Sequence, residues 1–142
     1  MKKSFRILCA VFLMYSFCFA QQYEAMQDST QPGIEAANLW MSLVTEGKYG
    51  ESWDQAADLF KKAVSKSDWE KSLNGILPAY GKLVSRELLS ATYETSLPGA
   101  PDGEYVVIRY KTKFEKKAES IETVTPMKDT DGTWRVSGYY IK

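Results

Sequence analysis

At Gly81 the hydrophobic period of the chain changes, and that change limits what the chain can fold into. Before it, apolar residues recur every three or four positions. Ala37, Trp40, Met41 and Val44 share one helical face, with Gly47 as a C-cap. Tyr49, Trp53, Ala56, Ala57, Phe60 and Val64 continue the pattern as a second helix. Ser67-Asp68-Trp69-Glu70 fits a capping box opening a third helix through Leu73 and Leu77, ended by Pro78 and Gly81. After Gly81 the period is two, which predicts strands over 83–95, 104–114, 119–128 and 133–141. The paired prolines and glycines of "LPGAPDG" turn the chain between the first two, and Asp131-Gly132 marks a hairpin between the last two. The expected fold is therefore α+β: three N-terminal helices on one face of a curved four-stranded antiparallel meander, cone-like, in a single domain over 34–142.

The first 33 residues read differently. Met1 to Arg6 are basic, "ILCAVFLMYSFCF" is an unbroken apolar run, and a polar chain starts after Ala20. That is the layout of a secretory signal peptide over 1–20 cleaved near Ala20, with a flexible lead-in over 21–33. The apolar run is short of the roughly 20 residues that span a bilayer, so no stable membrane span is expected after cleavage. The expected location is the periplasm or the exterior. Cleavage would remove both cysteines, Cys9 and Cys18, and with them any disulfide or thiolate chemistry.

Composition excludes more than it suggests. The chain has no histidine, so histidine bases, histidine-activated nucleophiles and imidazole metal sites are unavailable. Without Lys2, Lys3 and Arg6 the balance is 15 basic against 18 acidic residues, a net charge of −3, which does not favour nucleic acid. No metal, no cofactor and no catalytic residue is expected.

Strand register offers a candidate site. If Phe114 faces Glu119 and Asp131-Gly132 is a two-residue loop, then Val106, Ile108, Tyr110, Phe114, Ile121, Met127, Trp134 and Val136 share the helix-covered face. Thr123 then lies between Tyr110 and Tyr140, and Thr125 beside Gly138. With Trp53 and Trp69 from the helices, the candidate pocket is Trp53, Trp69, Tyr110, Thr123, Thr125 and Tyr140. The same register puts Glu122 on the opposite face against Lys111, as an exposed ion pair whose replacement by Gln should cost little. That face also carries Tyr105, Val107, Val124, Tyr139 and Ile141 beside Arg109, and is amphipathic enough to suit a homodimer as well as a monomer.

The segments "GKYGESWDQAADLF", "LPGAPDGEYVVIRYKTKF" and "ETVTPMKDTDGTWRVSGYYI" resemble a bacterial family known as domain of unknown function 4019, over about 34 to 142. The resemblance implies a secreted or periplasmic α+β domain of nuclear-transport-factor-2-like or cystatin-like build, and implies no activity. Matching positions are Trp53, Phe60, Trp69, the Pro98–Tyr105 turn, Glu122 to Thr125 and Trp134 to Tyr140. The family pattern places an arginine and Pro-Leu-Gly before the first strand; here Leu77 to Gly81 stand there, with no arginine in that stretch before Arg86. The expected function is a non-catalytic extracytoplasmic domain binding a small ligand or a protein partner. The competing expectation is a cone-fold enzyme using a carboxylate and a tyrosine in the helix-covered pocket, which a buried carboxylate beside Tyr110 and Tyr140 would favour.

Overall fold

The computed structural model describes residues 29–142, so the expected signal peptide and most of the lead-in lie outside the described residues. Among the described residues four helices precede four strands. α1 occupies 29–45, and α2 (Tyr49–Asp54), α3 (Asp58–Ala63) and α4 (Lys66–Tyr80) follow. β1 (Leu83–Glu94), β2 (Tyr105–Phe114), β3 (Lys117–Lys128) and β4 (Trp134–Ile141) form one antiparallel meander in the order β1-β2-β3-β4. Among the described residues no helix is long and apolar enough to cross a membrane.

The helical half departs from the sequence expectation in three places. Residues 29–33, expected in the lead-in, already belong to α1, and Gly33 lies so close to β2 that a Cβ there would sit 2.6 Å from a Val106 methyl. The helix expected through 49–64 is two helices, because Ala57 turns extended (φ −63°, ψ 155°) and donates its N–H to Val136 O at 2.8 Å. That bond fastens the break to β4. α4 starts earlier than its expected cap: Ser65, not Ser67, is the N-cap, accepting from Asp68 N and donating to its carboxylate. Pro78 sits inside the last turn, and Gly81, at φ 76°, ends the helix in the left-handed region.

The strand boundaries match the alternating pattern to within two residues, but the register does not match the expected one. Glu115 and Lys116 make a tight turn with Phe114 opposite Lys117, and an irregularity before Ser120 shifts β3 by one. Tyr110 therefore faces Glu122 and Lys111 faces Ile121. The second hairpin has a loop from Asp129 to Thr133 rather than two residues, closed by Asp129 N to Thr133 O. Ser137 is an extra residue in β4, between the Pro126–Val136 and Thr125–Gly138 pairs, and its hydroxyl donates to Thr125 O. A bulge of this kind flips the side-chain phase beyond it. Trp134 and Val136 face the helices, and beyond Ser137 so do Tyr139 and Ile141.

The consequence is a correction to both faces. Ser120, Glu122, Val124 and Pro126 are buried under the helices, while Ile121, Thr123, Thr125 and Met127 lie on the other side. The core joins Ala37, Trp40, Met41 and Val44 of α1 to Phe60, Trp69, Leu73 and Leu77, and to Val106, Ile108, Tyr110, Phe114, Val124 and Val136 of the sheet.

Candidate functional site

Glu122 is the residue whose position the sequence reading missed. Its side chain is 1% exposed, and every lone-pair direction is used. Arg86, the inward residue of β1 opposite Thr112, clamps it with Nε on Oε2 at 2.7 Å and a second guanidinium nitrogen on Oε1 at 3.2 Å. Thr112 donates to Oε2 at 2.5 Å and Tyr139 to Oε1 at 2.7 Å. The remaining guanidinium nitrogen reaches Thr45 Oγ1 of α1 at 3.3 Å. Burial first, then the neighbouring carboxylate, hold the Tyr139 phenol well above its ordinary pKa, so it stays a donor. Tyr110 is raised as well, mainly by burial, and donates to Asn38 Oδ1 at 2.9 Å.

Beside this network the interior is filled with rings. Trp40, Phe60, Trp69 and Tyr139 meet at centroid separations of 5.0 to 6.1 Å, several of them edge to face. The polar handles of the two tryptophans are satisfied by one small residue. Trp40 donates to Ser52 O at 2.7 Å and Trp69 to Ser52 Oγ at 3.0 Å, and Ser52 is wholly buried. Trp53 is tied off separately, to Val64 O at 2.8 Å.

The six pocket residues read from the sequence therefore divide between the faces. Trp69 and Tyr110 are inside, with their polar atoms engaged, and Trp53 packs at the margin of the core. Thr123, Thr125 and Tyr140 lie on the opposite sheet face, Tyr140 being 62% exposed. They do not line one pocket, because the β3 shift and the Ser137 bulge put them out of phase with Tyr110. The buried carboxylate that the enzyme reading asks for is present, but its tyrosine is Tyr139. The signal for Glu122 lay in the "ETVT" segment of the family resemblance; Arg86 and Thr112 gave none, since their relevance depends on register.

A concave surface lies at the end of the helix–sheet layer. Val44 and Thr45 end α1 over it, Leu77 and Pro78 come from α4, and Leu83 and Phe114 are paired across β1 and β2. Lys82, Glu115 and Lys116 line it too, as does Tyr49, in a groove of about 650 Å³ within the range of small-molecule sites. Its wall is fixed by Glu115 N to Lys82 O and Lys116 N to Tyr80 O, both 2.9 Å, and by Lys82 N to Glu115 Oε2 at 3.0 Å. Among the described residues no cluster of three acidic, histidine or cysteine side chains is placed to hold a metal.

Comparison with known proteins places these features in one family. No curated protein and no solved structure matches the chain. The family model that does match covers residues 36–139, which include Glu122, Arg86, the ring cluster and every residue lining the groove. The chain belongs to that family, described as protein of unknown function (DUF4019).

Proposed function

We propose that the chain is a non-catalytic, extracytoplasmic binding domain, and that its binding surface is the groove at the end of the layer rather than the helix-covered interior. The observation that carries this reading is the saturation of Glu122. A general base needs a lone pair aimed at substrate, and here four donors occupy both oxygens. The ring cluster leaves its polar atoms engaged as well. The groove offers an apolar floor with polar groups around it, the composition of a ligand site. The extracytoplasmic part rests on the basic start, apolar run and Ala20 boundary of the first 20 residues.

The competing reading is an enzyme built on Glu122 and Tyr139, favoured by the burial of a carboxylate 2.7 Å from a phenol. The bidentate Arg86 clamp weighs against it, because it holds the carboxylate in a fixed structural role.

The test is to express the full chain in a bacterium, collect the periplasmic fraction and record a native mass spectrum. The expected species has the mass of residues 21–142 and carries a discrete adduct. A full-length mass confined to the cytoplasm overturns the location. A bare protein that takes up no small molecule overturns the small-ligand form of the reading and leaves a protein partner as the occupant to seek.

A further inference from the structure

We infer that the groove takes a single-chain amphiphile with a carboxylate head, the apolar chain on its floor and the head between Lys82 and Lys116. This rests on the groove being the binding surface.

The floor is continuous with the core. Val44, Leu77 and Phe114 are each less than a tenth exposed, so the little surface they keep lies where α1, α4 and the end of β2 leave the layer open. Leu83, across the strand pair from Phe114, extends that surface toward the rim. Apolar area of this kind gains roughly 25 cal/mol for each Å² an alkyl chain covers.

The rim selects the head group. Lys48, Lys66 and Lys128 each have a carboxylate within 3.1 Å. Among the described residues Lys82 and Lys116 have none within ion-pairing distance, although both line the groove and both are exposed. Among the described residues Glu115 is the one acidic side chain lining the groove, and one of its oxygens is taken by the Lys82 backbone N–H. The described lining thus carries two cations against one carboxylate, which suits a monoanion better than a phosphate dianion. Tyr49 adds a phenol with no hydrogen-bond partner among the described residues, a donor available to the second carboxylate oxygen. The backbone bonds that fix Lys82 to Glu115 and Lys116 to Tyr80 hold the rim in place before binding, which leaves only the lysine side chains to order.

The experiment is calorimetry of the periplasmic protein with dodecanoate below its micelle concentration, with 1-dodecanol and dodecyltrimethylammonium as head-group controls. Dodecanoate should saturate one site at least about tenfold more tightly than the alcohol, and the cation should not bind. Lys82→Glu with Lys116→Glu should weaken dodecanoate by about tenfold or more at an unchanged melting temperature, and added salt should weaken it in the parent protein. Equal affinity for acid and alcohol overturns the head-group assignment. So does preferential binding of a peptide with an apolar C-terminal residue. If the double variant loses its native adduct but dodecanoate does not compete in the parent, the groove stands and the amphiphile falls. If dodecanoate binds the double variant as well as the parent, the groove reading falls with it.

Discussion

The two edges of the sheet are finished in different ways. Along β4 the Tyr139 ring lies against those of Trp40 and Trp69, and Ala57 binds the strand directly through its backbone. Along β1 the pattern of burial is irregular, two register shifts interrupt the pairing with β2, and Val84, Leu88 and Leu89 are 55%, 46% and 48% exposed. Yet β1 supplies Arg86, the cation of the most buried ion pair described. Coverage and commitment are therefore separate: β1 reaches the core margin through Leu83, Ala91 and Tyr93 and adds one ionic clamp, Arg86 on Glu122, whereas β4 is held under close-packed rings. Irregular pairing also suits an edge strand, since bulges discourage addition of a further strand.

Substitutions on the two sides of the sheet test that contrast. The largest effect should come from the covered side: Trp69→Ala removes a ring that touches three others and should cost about 4 kcal/mol in urea unfolding. A cost below about 1 kcal/mol would mean that the cluster is loosely packed. Next, Glu122→Leu leaves the partly buried Arg86 without its partner and should cost about 3 kcal/mol, well above the slight effect expected of a surface pair. Adding Arg86→Met to that variant should recover part of the loss, because the uncompensated cation is then gone. If the second change deepens the loss, Arg86 holds β1 by packing rather than by charge.

A smaller, pH-dependent effect belongs to the β3–β4 loop. Arg135 first, then the Thr133 backbone N–H, hold the Asp131 carboxyl well below its ordinary value of 3.8. A depressed carboxyl contributes stability that is present above the unfolded value and lost as pH falls toward the folded one. Asp131→Asn should therefore flatten the acid limb of the melting curve below about pH 4. An unchanged acid limb would exclude Asp131 as a source of it. The smallest effect should be at the exposed edge, where Leu88→Ser is expected to change stability by no more than about 0.5 kcal/mol. A larger loss would show that something covers β1 in solution.

The elements were legible in the sequence because each period runs long enough to read: Ala37 to Val44 and Trp69 to Leu77 for helices, Val106 to Phe114 for a strand. The site was not, and for local reasons. In β3 both phases look plausible, since Ile121 and Met127 compete with Val124 and Pro126, and a buried glutamate argues against its own phase. The choice falls to the Glu115-Lys116 turn and the irregularity after it, which alternation does not report. In β4 the adjacent Tyr139 and Tyr140 put an aromatic on each face, so the bulge leaves no break in the pattern. The break at Ala57 was hidden similarly, because alanine suits a helix and its bond to Val136 is made by backbone.

Ser137 has a consequence for the family's sequence record. It sets the offset between Trp134 and the phenol that reaches Glu122, so that offset is five positions here. A relative whose fourth strand runs without the extra residue would present its inward phenol at an even offset from the tryptophan. Spacing between those two aromatics, read in an alignment alongside the presence of the glutamate, would then sort members that keep the buried carboxylate dressed by tyrosine from members that have left it free.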